Sequence, residues 1–244
     1  MDADPDSDPD LDELLATALD PDADKRLQAV ADLPIRSGDA DDVHRDRVTA
    51  TLIALTTDPD PDVRDWATFG LGCQLEHDTP AIRAALWARV GDPGAHTTDE
   101  AVFGLARRRD PLAAAMVAEA LAEPEVAPLF FGAAAFLRDP GLADRLWAFD
   151  EPGADEDDVV RVALRECDPG LRAERDDFVL RLMDLLFERA AEHEPAFSCG
   201  VLDLDISIRV KALPESAGGW DVEALRRLCD GDARAAAEFV LARL

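Results

Sequence analysis

Apolar residues recur at helical spacing through most of the first 150 residues, and the pattern itself repeats. The segment DPDADKRLQAVADL, which starts at Asp20, aligns without gaps on DPDPDVRDWATFGL, which starts at Asp58. A third copy, DPGAHTTDEAVFGL, starts at Asp92, and weaker copies follow from Val126 and Asp157. The strong copies open with an Asp-Pro turn, which ends a preceding helix, and continue with apolar residues that would line one helix face. The pattern predicts one amphipathic helix for each copy.

A second helical pattern follows in each repeat and begins at Thr79-Pro80, Asp110-Pro111 and Asp139-Pro140, with proline near the first turn as helix starts prefer. Its apolar positions superpose at a spacing of 30 residues. The predicted core residues are Ile82, Leu112 and Leu142, then Leu86, Met116 and Leu146. Paired helices at such a period indicate a stacked helical array.

Small residues occupy positions where helices of such an array would meet. They are Ala67, Gly70, Ala101 and Gly104. Glycine weakens a helix interior, so its presence there indicates a close approach between neighbouring helices.

The segment DPDPDVRDWATFGLG, residues 58–72, resembles the first helix of HEAT repeats, in particular the short bacterial HEAT-like repeats also seen in phycobilisome lyase-type subunits. The resemblance covers residues 20 to about 150. It implies an all-α fold, a right-handed α-solenoid of HEAT-like helix pairs. It also implies protein binding and scaffolding, the role of most members, with enzymatic or DNA-repair roles in a few.

The remaining sequence divides by composition. Residues 1–10 hold five aspartates and predict a disordered acidic tail, residues 11–150 form the repeat solenoid, and residues 151–244 form a degenerate repeat and a C-terminal cap. Within the cap, residues 202–211 alternate strictly between apolar and polar side chains, which predicts a short β segment.

The formal net charge is −28, from 53 acidic and 25 basic residues. Such a surface repels phosphate backbones and anionic lipids, so we expect no direct nucleic-acid binding and no membrane binding. Two simpler explanations of the acidity are solubility of an apolar array and a compositional bias of the source organism. The opening MDADPDSDPD is unlike a basic, apolar signal peptide, and we expect a cytoplasmic protein.

The sequence contains no motif of a known catalytic or cofactor-binding class, and we expect no catalytic residues, no cofactor and no metal. Glu76, His77 and Asp78 carry ligand atoms, but a turn between two helices explains them more simply. The basic run Arg107-Arg108-Arg109 falls at a predicted helix end, where cations complement the helix dipole.

Trp87 and Trp147 occur in the same tripeptide, Leu-Trp-Ala, at the same position of the second helix, with Val117 at the equivalent place between them. Each directly follows a predicted core leucine, so it points about 100° away from the core. Packing between repeats is the simpler explanation of these tryptophans. If exposed, they and Arg83 would form a partner-binding ridge on the concave face.

The sequence therefore favours a non-catalytic scaffold or adaptor that binds another protein, one with a basic or apolar patch, through Arg83, Trp87, Val117 and Trp147. An alternative is an acidic nucleic-acid mimic or immunity-type inhibitor of a basic protein. A lyase-like or DNA-repair enzyme with HEAT-like repeats is a third hypothesis, although its basic groove conflicts with the charge.

Overall fold

The computed structural model describes residues 9–37, 42–152, 158–192 and 222–242, which form helices and no strand. The α-helices are α1 (Pro9–Thr17), α2 (Ala23–Ser37), α3 (Asp42–Leu55), α4 (Pro61–Phe69), α5 (Pro80–Arg89), α6 (Ala95–Arg107), α7 (Ala113–Ala120), α8 (Pro128–Leu137), α9 (Ala143–Leu146), α10 (Val159–Cys167), α11 (Pro169–Glu192), α12 (Val222–Leu228) and α13 (Ala233–Leu241). A π-helical turn, Gly70–Gln74, extends α4, and 3₁₀ turns at Pro140–Leu142 and Trp147–Phe149 flank α9. The predicted β segment, 202–211, lies outside the described residues.

The described residues fall into two compact units that divide after Leu137. The first contains α1 to α8, and the second contains α9 to α13. The predicted boundary at 150/151 separates regular from degenerate repeats and stays a prediction.

The first unit is an α-solenoid of helix pairs, as predicted. Helices α2, α4, α6 and α8 pack against one another in succession, and α3 packs on α5 in a second layer. Within the pairs, α3 packs on α2, α5 on the π-helical turn, and α7 on α6. Fully buried residues of both layers, among them Leu33, Leu52, Leu71, Ile82 and Leu105, form the core between them.

The Asp-Pro turns fold through their aspartate side chains. One carboxylate oxygen of Asp58 accepts a hydrogen bond from the Asp60 N–H at 2.9 Å, and Asp92 accepts one from the Gly94 N–H at 3.0 Å. The same bond from residue i+2 recurs at Asp20, Asp110, Asp139 and Asp168. The aspartate thus replaces a backbone acceptor where the chain reverses direction.

In two of these turns an arginine also donates hydrogen bonds to the aspartate of the next turn. Arg26 donates to both carboxylate oxygens of Asp58 at 2.8 Å, and to the carbonyls of Asp20 and Pro21 in its own turn. Arg64 repeats this arrangement with both oxygens of Asp92 at 3.2 Å and with the carbonyls of its own turn. The paired side chains are largely buried, and the two-pronged geometry suits guanidinium and carboxylate. We call this repeated interaction the Asp–Arg ladder.

The predicted close approach of helices occurs between α6 and the π-helical turn. A Cβ atom on Gly104 would lie 2.5 Å from the Cα of Gly72, and one on Gly70 would lie 3.0 Å from Pro34. Only glycine therefore fits at position 104 without moving a backbone segment.

The second unit has its own core. Seven buried residues of α11, α12 and α13 form it: Val179, Met183, Phe187, Leu225, Ala236, Ala237 and Val240. Separately, the buried carboxylate of Glu166 on α10 pairs with Arg138 at 2.9 Å and with Arg175 of α11. Arg175 thus joins α10 to α11 through a buried ion pair, and Arg138 supplies a second cation to the same carboxylate.

The predicted core positions hold in two of the three second helices. Ile82, Leu86, Leu142 and Leu146 are at most 2% exposed, but Leu112 is 66% exposed and Met116 is only half-buried. The prediction was wrong there because Pro111 and Leu112 form a tight turn that precedes α7. The helix begins one residue later than expected, and Ala113 and Val117 take the core positions instead.

Among the described helices, none is both long and apolar enough to traverse a lipid bilayer.

Replacing Gly104 with alanine should destabilise the first unit by about 1–3 kcal/mol, because the new methyl group would press on the Gly72 backbone. Gly132→Ala is a matched control inside α8, since its Cβ would meet only the edge of the Phe103 ring at 3.2 Å. Urea denaturation of both variants measures the difference. Equal stability of the two variants would contradict the backbone contact.

Candidate functional site

The first predicted site residue, Arg83, lies on α5 and is engaged on several sides. Its guanidinium donates to both oxygens of Asp78, at 2.9 and 2.6 Å, and to the Arg108 carbonyl at 2.5 Å. A further contact of 3.4 Å reaches Asp110. The side chain is 30% exposed. Arg83 therefore links the start of its own helix to the turn that follows α6.

Trp87 lies one helical turn after Arg83 and is half-buried. Its indole N–H donates to Oδ2 of Asp110 at 3.1 Å, the same oxygen that Arg83 approaches. Asp110 thus brings the two predicted site residues together. The simpler explanation of Trp87, packing between repeats, accounts for this contact.

Trp147, in the second unit, is 46% exposed. Its indole N–H donates to Oδ2 of Asp168 at 3.0 Å, and this bond is the leading cause of the lowered pKa of that carboxyl. Asp168 begins the Asp-Pro pair before α11, as Asp110 begins the pair before α7. Both Leu-Trp-Ala tryptophans therefore donate to the aspartate of an Asp-Pro pair 21 to 23 residues further along the chain.

Val117 was predicted to share this surface, but it is completely buried. The register shift of α7 explains the error, because Val117 occupies the core position that corresponds to Leu86. It cannot contact a partner, and the candidate site is reduced to Arg83 and Trp87 in the first unit and Trp147 in the second.

The basic run at 107–109 caps a helix rather than forming a basic patch. Arg108 is 8% exposed and donates to five carbonyls, those of Leu71, Gly72, Leu75, His77 and Gly104. Arg107 donates to the carbonyl of Cys73. The two arginines satisfy the carbonyls at the end of the π-helical turn, where the chain leaves the helix. Burial lowers the pKa of Arg108 to about 10, which leaves it charged at neutral pH.

His77 makes a structural contact. One ring nitrogen lies 2.8 Å from the Thr49 hydroxyl, and burial lowers the pKa of the ring. Its neighbour Asp78 is held by Arg83. Within the described ranges, no group of three or more potential ligands is arranged to hold a metal ion.

Glu100 on α6 is the described carboxyl whose pKa is most strongly raised. Burial is the main cause, with the nearby charges of Asp65 and Asp99 adding to it, and the pKa reaches about 8. One of its oxygens is buried without a hydrogen-bond partner. Burial and the neighbouring carboxylates thus favour the protonated form of Glu100 at neutral pH.

Two of the described thiols, those of Cys73 and Cys167, are made unreactive by burial. Burial raises the pKa of Cys73 and Cys167 to about 12. Both therefore remain protonated at neutral pH, and neither is an activated nucleophile.

Sequence reasoning missed two features of this surface. The acceptors Asp110 and Asp168 were seen only as helix starts, although each opens an Asp-Pro pair 23 or 21 residues after its tryptophan. Trp66 on α4 is 41% exposed, and its ring meets that of Phe69 edge-on at a centroid distance of 5.7 Å. Trp66 lies three residues after the buried Val63, so apolar spacing gave no signal that it would be exposed.

The chain is similar to proteins of known structure. Escherichia coli YibA, known from an X-ray structure, is 22% identical, with a TM-score of 0.46 over 65% of this chain and 68% of that one. No family model matches the chain, and no curated protein matches it. The packed helix pairs of the first unit, joined by the Asp–Arg ladder, define the fold as an all-α solenoid.

The raised pKa of Glu100 predicts that the stability of the folded chain depends on pH. The folded state raises its pKa from 4.5 to about 8, so the unfolded chain releases this proton first, and stability is lost as the pH rises between those values. Asp99, whose pKa is also raised by burial, acts in the same direction. Glu100→Gln should therefore be more stable than the parent at about pH 9 and nearly equal to it at about pH 5.

Thermal unfolding across this pH range measures the effect. Glu119→Gln, an exposed substitution on α7, is the control and should leave the pH profile unchanged. A Glu100→Gln variant that is less stable than the parent by the same amount at every pH would refute the protonated state.

Proposed function

We propose that this chain is a non-catalytic interaction module, a scaffold or adaptor that binds another protein, with Trp147 in the second unit and the Arg83–Trp87 surface in the first unit as separate candidate contacts. The observation that carries the proposal is the state of Trp147, whose ring is 46% exposed while its N–H is fixed on Asp168. Tryptophan is enriched at the hot spots of protein interfaces, and a ring held in one orientation can serve there as an anchor.

A fixed aromatic ring is a favourable anchor. Tryptophan buries a large area with few rotatable bonds, and a ring already oriented by a hydrogen bond loses little further entropy on binding. The indole–Asp168 bond also satisfies the one polar atom of the ring. Its apolar face is thus available to a partner without leaving a donor unpaired.

The charge of the chain indicates what kind of partner suits it. With a net charge of −28, the surroundings of any exposed apolar residue are acidic on average. A protein that offers an apolar patch with lysines or arginines at its rim would complement such a surface. The resemblance of residues 58–72 to short bacterial HEAT-like repeats supports the same class of function.

The net charge also favours a second candidate, an acidic mimic or immunity-type inhibitor that neutralises a basic protein. The two functions differ in what drives binding. An aromatic-anchored complex should tolerate moderate salt, whereas association with a mimic should weaken steeply over the same range.

Binding is tested by affinity capture from a lysate of the source cells, followed by measurement with the purified partner. Trp147→Ala should weaken the complex by about 2 kcal/mol, as expected for a central aromatic anchor. Trp66→Ala is the matched control, since Trp66 is similarly exposed but lies outside the candidate surface.

Repetition at low and moderate salt separates the two candidate functions. A partner that binds Trp147→Ala as tightly as the parent would overturn the anchor. A complex that dissociates at moderate salt and ignores the tryptophan would favour the mimic.

A further inference from the structure

A groove of about 620 Å³ lies between α1 and α2, at the N-terminal end of the first unit. Leu14 of α1 and Ala29 of α2 form apolar parts of its wall. Ile35, near the end of α2, also lines it and is 71% exposed. The lining of the groove contains no residue of α5, so it shares no residue with the Arg83–Trp87 surface.

Ile35 is exposed because its neighbours take the core. Leu33 is completely buried, and Pro34 is buried against the position of Gly70. The side chain of Ile35 therefore faces the groove. A β-branched apolar side chain so exposed gains free energy when a partner covers it.

The rim of the groove is acidic. Asp10, Glu13 and Asp32 line it together with one basic residue, Arg36. Glu13 and Asp32 are exposed, and neither forms an ion pair with another described residue. The groove thus combines three apolar wall residues with a surplus of carboxylates over basic groups.

The segments next to α1 and α2 in the sequence do not complement the charge of the groove. Residues 1–8, before α1, hold four aspartates, and residues 38–41, after α2, hold two, while neither segment contains a lysine or arginine. Placing either segment in the groove would bring like charges together. Charge complementarity therefore favours an occupant from another molecule.

We propose that this groove binds a cationic amphipathic helix of a partner protein, with a large apolar side chain against Ile35 and Leu14 and with lysines or arginines facing Glu13 and Asp32. Such helices bind in apolar grooves through residues spaced three and four apart, and charges at the rim fix their orientation. The inference rests on the proposed protein-binding function, but it does not depend on Trp147.

The probe is a fluorescently labelled helical peptide of leucine and lysine, with leucines on one face, titrated against the full chain at low salt. A peptide of the same pattern with glutamate in place of lysine, and a scrambled leucine–lysine peptide, are the ligand controls. The amphipathic cationic peptide should bind, and both controls should bind at least about tenfold more weakly.

Variants of the protein then locate the site. Ile35→Ser and Asp32→Lys both change exposed side chains. Each should lower the affinity for the cationic peptide at least about tenfold. Their matched controls are Leu228→Ser and Asp144→Lys, which alter exposed residues of the second unit and should leave affinity nearly unchanged. Circular dichroism verifies that all four variants keep their helices.

The inference would be overturned if the cationic peptide did not bind or if it bound Ile35→Ser as tightly as the parent. Equal losses of affinity for Asp32→Lys and Asp144→Lys would also overturn it, because they would show attraction by net charge alone. Loss of the peptide with Trp147→Ala but not with the groove variants would also overturn it, while leaving the proposed function intact.

Discussion

The stacking of the first unit depends on the aspartate that opens each Asp-Pro turn. Its carboxylate first completes the turn by accepting the N–H two residues on, and it then receives the arginine of the preceding repeat. Arg26 and Arg64 each donate to the carbonyls of their own turn and to the carboxylate of the next. One residue type thus sets both the local turn and the distance between repeats. Burial opposes ionisation of Asp58 and Asp92, yet their hydrogen bonds to arginine and backbone N–H lower their pKa values.

The tryptophans extend the same arrangement to the second helices. Trp87 donates to Asp110 and Trp147 to Asp168, so the residues that suggested a binding surface also join elements that are distant in sequence. These two roles are compatible. A ring oriented by a structural hydrogen bond is better preorganised for binding than a freely rotating one. Any variant of these tryptophans therefore needs a stability measurement beside its binding measurement.

The sequence predicted the helical fold and much of the core, because apolar spacing and Asp-Pro turns are local signals. Ile82 and Leu86 followed directly from that spacing. The sequence prediction was wrong at Leu112 and Val117, because a tight turn delayed the start of α7 by one residue. No spacing rule detects such a difference. The carboxylates that receive each tryptophan were missed, since they lie more than 20 residues away along the chain. The exposure of Ile35 depends on which neighbours enter the core, and this is settled only by packing.

The Asp–Arg ladder is tested most directly by a double-mutant cycle on Arg64 and Asp92, which form a largely buried pair. Arg64→Met and Asp92→Asn, alone and combined, are compared by urea denaturation, because asparagine retains the acceptor that the turn needs. The ladder predicts a coupling free energy of at least about 1 kcal/mol, well above the roughly 0.3–0.5 kcal/mol expected for the exposed pair Arg181–Asp177. A coupling for Arg64 and Asp92 no larger than that of the exposed pair would contradict the ladder as the interaction that joins the repeats.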